Sequence, residues 1–108
     1  MAALAGEPSA PPPSAPSERL RLKVRGLVQG VGFRPFVHGL AARHGLAGFV
    51  ANDPEGVLIE VEGAAVAAFL AELPAAKPAP ARIDALEVER LPARGETAFT
   101  VRASRSAG

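Results

Sequence analysis

Apolar and charged residues alternate along the chain from residue 19 to residue 27. The apolar side chains at 20, 22 and 24 share one side of an extended chain, and the charged ones share the other: Arg21, Lys23 and Arg25. A period of two residues predicts a strand with one buried face.

Two later segments follow the helical period instead. Residues 35 to 44 carry apolar side chains at helical spacing, and Gly45 supplies the stop signal. Residues 64 to 73 are rich in alanine and leucine and end at Pro74, which predicts a second, shorter helix. Further strands are predicted over residues 46 to 51, 57 to 62, 83 to 91 and 98 to 103, with a turn over residues 52 to 56.

The order strand, helix, strand, strand, helix, strand, with a short fifth strand, predicts an α+β fold. It is typical of the ferredoxin-like βαββαβ sandwich, an antiparallel sheet with two helices on one face. The first strand would lie in the middle, with its basic residues between Glu60 and Glu62 on one side and Glu87 and Glu89 on the other. Each such cross-strand pair is worth about 0.2–1 kcal/mol.

Composition separates the predicted domain from two tails. Residues 1 to 17 are almost entirely Ala, Pro, Ser and Gly, which predicts a disordered tail. One domain then spans residues 18 to 104, and residues 105 to 108 form a C-terminal tail.

The chain has no cysteine, so it can form no disulfide and has no thiol nucleophile. Its net charge of +1 neither requires nor excludes any class of binding partner. Two histidines, His38 and His44, do not suit a shared metal, and we expect no metal and no cofactor. No apolar run is long enough to span a bilayer. We therefore expect a cytoplasmic monomer without a membrane partner.

Residues 28 to 34 read Val-Gln-Gly-Val-Gly-Phe-Arg and join the first strand to the first helix. Glycine reaches positive φ without steric cost, so Gly30 and Gly32 allow backbone N–H groups to turn towards an anion. Pro35 suits the first turn of a helix, and a helix N-terminus carries partial positive charge. Together with Arg34, these groups suit a phosphate.

A tight connection that binds nothing is an equally good interpretation of this spacing. The dinucleotide fingerprint fails because Pro35 stands where it requires glycine, and the Walker motif fails because no Gly-Lys-Ser/Thr follows. Any phosphate bound here is therefore expected to be small.

The segment over residues 26 to 34, together with Gly-Leu-Ala-Gly-Phe-Val-Ala-Asn at residues 45 to 52, resembles the acylphosphatase family. The resemblance covers residues 19 to 104. Arg-Pro-Phe-Val at residues 34 to 37, Asn-Asp at 52 and 53 and Ala-Arg-Ile-Asp at 81 to 84 are more similar to the amino-terminal domain of the HypF carbamoyltransferases of [NiFe]-hydrogenase maturation.

This resemblance implies hydrolysis of an acyl or carbamoyl phosphate. Arg34 would bind the phosphate through its guanidinium group, and Asn52 would hold the attacking water. Backbone N–H groups would surround the phosphoryl oxygens, and these belong to Gln29, Gly30, Val31, Gly32 and Phe33. The chemistry is coherent, because an acyl phosphate has a stable leaving group and needs positioning and charge stabilisation more than strong acid catalysis.

Two alternatives stay open. The domain could bind phosphate as a regulatory module with little turnover, or the basic sheet face could bind RNA. Glutamates beside the basic residues and a lack of aromatic residues on that face disfavour RNA. Relatives of the HypF type continue into further domains, including a cysteine-rich one, and the resemblance implies such domains and a hydrogenase-maturation partner. The sequence leaves open whether this chain is a fragment and which acyl group it accepts.

Overall fold

The computed structural model describes residues 18–102, so the two predicted tails lie outside the described residues. Within this range the chain forms five strands and two helices. The strands are β1 (Glu18–Leu27), β2 (Ala47–Asp53), β3 (Gly56–Gly63), β4 (Arg82–Leu91) and β5 (Phe99–Arg102). The helices are α1 (Phe33–Arg43) and α2 (Val66–Ala76).

The strands form one sheet in the order β4-β1-β3-β2-β5. All neighbouring strands are antiparallel except β2 and β5, which are parallel. The predicted ferredoxin-like α+β fold is confirmed, and β1 lies between β3 and β4, as the usual strand arrangement of that fold predicted.

The core lies between the sheet and the helices. Leu22 on β1 and Ile59 on β3 meet Val37 of α1 and Phe69 of α2, and all four are completely buried. Burying each side chain of this size contributes about 1.5–3 kcal/mol. The alternation of β1 and the helical period of α1 and α2 therefore both correspond to one shared apolar layer.

Helix boundaries differ from those predicted. Helix α1 starts two residues before Pro35, because Gly32 caps it in the left-handed conformation with a φ of 77° and Pro35 is tolerated inside the first turn. Helix α2 continues two residues past Pro74. A proline so close to a helix end removes only one backbone hydrogen bond, and the buried Leu73 beside it holds the last turn against the core.

Strand β2 is longer than predicted and includes Asn52 and Asp53, which the sequence had placed in a turn. Asn52 pairs with Val57 and Asp53 pairs with Gly56, so only Pro54 and Glu55 make the turn. Asn52 therefore has a backbone fixed by the sheet. Along β2, Val50 points towards the helices, and strand alternation directs the Asn52 side chain to the same side.

The sheet face opposite the helices is less open than expected. Residues 92 to 98 cross it from β4 at one edge to β5 at the other, and their backbone N–H groups at Arg94 and Gly95 donate to the carboxylate of Glu62 at 2.8 and 2.7 Å. The expectation of a face without aromatic residues was also wrong. Phe49 lies there beside Ala51 and Leu58, and the guanidinium carbon of Arg102 stands 3.9 Å from its ring centre.

Candidate active site

The glycine loop over residues 29 to 32 lies between two buried anchors. Val28 precedes it and Phe33 follows it, and each side chain is about 1% exposed. The ring of Phe33 packs against that of Phe36, with 5.6 Å between ring centres. The loop is exposed between these anchors, so its ends are fixed while its backbone faces solvent.

Both loop glycines are required by backbone conformation. Gly30 and Gly32 have φ values of 74° and 77°, in the left-handed region that residues with a Cβ atom rarely adopt. A Cβ atom at either position would meet no heavy atom within 4 Å. The space beside both glycines is therefore open, and a ligand could approach the backbone there.

The N–H groups around this loop are available for an anion. Among the described residues, no carbonyl or side chain accepts a hydrogen bond from the N–H groups of residues 29 to 34. Gly32 caps α1 without a side-chain hydrogen bond, and the first turn of α1 carries no acidic residue. A helix start of this kind has unpaired donors and partial positive charge, and nothing in its first turn competes with a bound anion.

Arg34 lies in the first turn of α1 and is half-buried. Its Nη1 atom donates a hydrogen bond of 2.7 Å to the backbone carbonyl of Arg102. A guanidinium group has five N–H donors, so this contact fixes the direction of the side chain and leaves four donors for another acceptor. The sequence contained no signal that β5 would provide this carbonyl.

Asn52 has an unsatisfied acceptor. Its Oδ1 atom is buried and has no hydrogen-bond partner among the described residues. A buried polar atom without a partner costs about 1–3 kcal/mol, so such atoms usually bind a water molecule or a ligand. An amide oxygen of this kind suits a water molecule that must be held in one orientation.

Two hydrogen bonds connect the glycine loop and Arg34 to the backbone near Asn52. The Gln29 side chain donates to the carbonyl of Asp53, the residue directly after Asn52. Arg34 binds the carbonyl of Arg102, which pairs with Ala51, the residue directly before Asn52. The glycine loop and Arg34 are thus both tied to the backbone beside Asn52. No hydrogen bond joins Arg34 to Asn52 in the described part of the chain.

The two histidines lie away from this loop and from each other. His38 is exposed on α1, with its ring 6.0 Å from that of Phe99. His44 follows the end of α1, and its Nε2 atom lies 2.8 Å from Glu72 of α2. Residues 18–102 contain no group of three or more metal-binding side chains of the His, Cys, Asp or Glu type. None of the helices described is long and apolar enough to cross a membrane.

A second polar cluster lies on the opposite sheet face. Arg19 has no exposed side-chain surface and binds Glu60 at 2.7 Å, Glu62 at 2.9 Å and Glu96 at 3.1 Å. Burial acts to raise the pKa of the Glu60 carboxyl, but hydrogen bonds from Arg19 and Arg21 outweigh it and hold that pKa below the ordinary value. The sequence predicted charge pairing on this face, but it did not predict that residues 92 to 98 would cross the face and bury Arg19.

A cavity of about 440 Å³ lies on the same face beside this cluster. Phe49 and Glu60 line it, together with the basic side chains of Arg21, Arg94 and Arg102. It is separate from the glycine loop, none of whose residues line it. The Asn52 side chain points to the other side of the sheet, where the helices pack, so the candidate active site is on that side.

Comparison with known proteins identifies similar sequences. The Acylphosphatase family model matches residues 20–101. The chain is similar to a carbamoyltransferase HypF of Rhizobium leguminosarum bv. viciae, with 53% identity over 83 residues, which are 76% of this chain and 11% of that protein.

Solved structures are similar as well. A full-length HypF in a phosphate- and nucleotide-bound form superposes with a TM-score of 0.80 at 33% identity, over 86% of this chain and 13% of that one. An acylphosphatase from Bacillus subtilis superposes with a TM-score of 0.74 at 31% identity, over 79% of this chain and 98% of that one. This chain thus spans about a tenth of these carbamoyltransferases and nearly all of a free-standing acylphosphatase.

Proposed function

Because the chain belongs to the acylphosphatase family, we propose that it hydrolyses the phosphate anhydride bond of an acyl or carbamoyl phosphate. The observation that carries this proposal is the buried Oδ1 atom of Asn52, which has no hydrogen-bond partner within residues 18–102, beside the glycine loop that Gln29 ties to the same hairpin. An acceptor in that place suits a water molecule next to a bound phosphoryl group.

In the proposed mechanism, the N–H groups of residues 29 to 33 and the guanidinium group of Arg34 bind the phosphoryl oxygens. Backbone N–H groups and arginine match a phosphate in geometry and charge, and arginine stays protonated at any working pH. These donors stand ready before the substrate arrives, so the increase in charge on the phosphoryl oxygens is stabilised without reorganisation.

Asn52 then orients the nucleophile. The water oxygen attacks phosphorus, the bond from phosphorus to the acyl oxygen breaks, and the carboxylate or carbamate leaves with the electron pair of that bond. Both water protons end on the phosphate product, so the acyl phosphate dianion and water give one carboxylate and one dihydrogen phosphate. A neutral amide at Asn52 holds the water without repelling the phosphoryl charge, whereas a carboxylate would repel it.

Carbamoyl phosphate is the substrate that we favour among acyl phosphates. It is supported by the 53% identity to a protein named carbamoyltransferase HypF. On this basis we propose that the domain acts at the amino-terminal end of a HypF-like hydrogenase maturation enzyme, with further domains as its partners. Function as a cytoplasmic monomer remains a prediction.

The experiment compares phosphate release from carbamoyl phosphate and from benzoyl phosphate. We expect the unsubstituted chain to hydrolyse both, and Arg34→Ala and Asn52→Ala each to lose about 10²-fold or more in kcat/KM. Asn52→Asp should lose as much as Asn52→Ala because its charge repels the phosphoryl group. A chelator should change nothing, because no proposed step uses a metal.

Arg43→Ala is the matched control, since Arg43 lies on the same helix at its other end and pairs with Glu72. It should leave kcat/KM unchanged. Activity that survives Arg34→Ala or Asn52→Ala would overturn the assigned mechanism. Binding of inorganic phosphate without any turnover would instead favour the alternative of a phosphate-binding regulatory module.

A further inference from the structure

The side chain of Gln29 makes two hydrogen bonds that the proposed role of its backbone does not explain. Its Nε2 atom donates to the carbonyl of Asp53 at 2.8 Å and to that of Gly56 at 2.7 Å. Asp53 and Gly56 are paired across the turn between β2 and β3. A carboxamide nitrogen has two N–H donors, so Gln29 uses both of them to hold the two sides of this turn.

This contact is the connection between the loop and the turn. Among the described residues, no other hydrogen bond joins residues 29 to 32 to the β2–β3 hairpin. Gly30 and Gly32 have no side chain that could anchor the loop, and its ends are held by the buried side chains of Val28 and Phe33. Without Gln29, the distance between the loop and Asn52 would depend on these buried anchors and on the hydrogen bond from Arg34 to the Arg102 carbonyl.

We propose that Gln29 is a positioning residue, which holds the water-binding amide of Asn52 at a fixed distance from the phosphoryl group bound by the loop. This inference rests on the proposed hydrolysis. The phosphate donors belong to the loop and to α1. The water holder belongs to the hairpin. Gln29 therefore affects the attack of water more than the binding of phosphate.

The kinetic test separates these two effects. A displacement of about 1 Å between reacting groups costs up to 10²-fold, so Gln29→Ala should lower kcat by about 10- to 100-fold. The dissociation constant for inorganic phosphate, measured by calorimetry, should change by less than about threefold, because the loop donors remain. A loss of phosphate binding equal to the loss in kcat would overturn the proposal, since Gln29 would then merely shape the loop.

A double-mutant cycle tests whether Gln29 acts through Asn52. In the Asn52→Ala background the water holder is absent, so adding Gln29→Ala should cost less than about threefold in kcat/KM. If the two losses multiply, Gln29 acts on something else and the proposal fails. Glu72→Ala is the control, because Glu72 also bridges two segments, through Arg43 and His44, far from the loop. It should leave kcat unchanged.

A third measurement does not need turnover. The chain contains one asparagine and one glutamine, so NMR distinguishes their side-chain NH₂ signals without ambiguity. Titration with inorganic phosphate should shift the Asn52 NH₂ signals in the unsubstituted chain, and this shift should shrink in Gln29→Ala at equal phosphate occupancy. An unchanged shift would overturn the inference. Absence of turnover with the expected NMR result would overturn only the proposed hydrolysis.

Discussion

Replacing Arg19 with methionine removes the charge of the buried cluster and keeps most of the apolar stem. Arg19 donates through three nitrogens: Nε and Nη2 to Glu60 at 2.9 and 2.7 Å, and Nη1 to Glu62 at 2.9 Å and Glu96 at 3.1 Å. Its side chain is entirely buried, and those of Glu60 and Glu62 are only 6% and 5% exposed. The substitution therefore leaves two buried carboxylates without their shared cation.

Breaking a buried ion pair by removing one partner costs about 3–5 kcal/mol. The lower end applies here, because both carboxylates keep other donors. Glu60 keeps Arg21 at 3.0 Å, and Glu62 keeps the backbone N–H groups of Arg94 and Gly95. We expect a loss of about 3 kcal/mol in the free energy of unfolding. In a domain of this size that corresponds to about 12 to 24 °C in Tm.

Urea unfolding at neutral pH measures this loss, and Arg82→Met is the matched control. Arg82 binds Asp84 at the similar distance of 2.8 Å, but both side chains are more than half exposed. Exposed pairs contribute about 0–1 kcal/mol, so the control should lose little. Equal losses in the two variants, or a loss below about 1 kcal/mol for Arg19→Met, would show that burial of the cluster is not what makes it stabilising.

Acid should weaken the fold. The pKa values of Glu60 and Glu62 lie below their ordinary value of 4.5 in the folded state. Their contribution to the free energy of unfolding is therefore present above pH 4.5 and is lost as the pH falls through the folded pKa values. Glu60→Gln should make the free energy of unfolding fall less steeply with pH in this acid range. Gly48→Ala should prevent stable folding, seen by circular dichroism, because the new Cβ would lie 1.9 Å from the Glu60 carbonyl at a φ of +130°. Gly39→Ala, in α1 with no heavy atom near the new methyl, should instead raise stability by about 0.5–1 kcal/mol. Phe69→Ala should lower the free energy of unfolding, measured in urea, by about 3–5 kcal/mol, since the Phe69 ring is fully buried.

Local sequence was a good guide to the elements because each has a strong period. Leu22 and Val24 alternate with charged residues in β1, and no other conformation buries the first set while exposing the second. Element ends were harder to predict. Pro74 is a stop signal on average, yet α2 continues past it because the neighbouring Leu73 is buried in the core.

The candidate site divides in the same way. Gly30, Gly32 and Arg34 could be chosen from the sequence, because glycine spacing and a helix start have a direct meaning for an anion. Asn52 could be chosen only through a family resemblance, since its local sequence is that of a turn. The structure places it in β2 instead, with a buried Oδ1 atom that lacks a partner among the described residues.

By itself, then, the sequence determined the strands, the helices, the ferredoxin-like order and the position of the glycine loop, since all of these follow from neighbours along the chain. Only the tertiary structure decided which groups meet across long separations. It brought Gln29 to the carbonyl of Asp53, turned Arg34 towards that of Arg102, and buried Arg19 between Glu60 and Glu62. These contacts join residues 24 to 68 positions apart. A backbone carbonyl has the same chemistry at every position, so no sequence pattern marks the ones that Gln29 and Arg34 find.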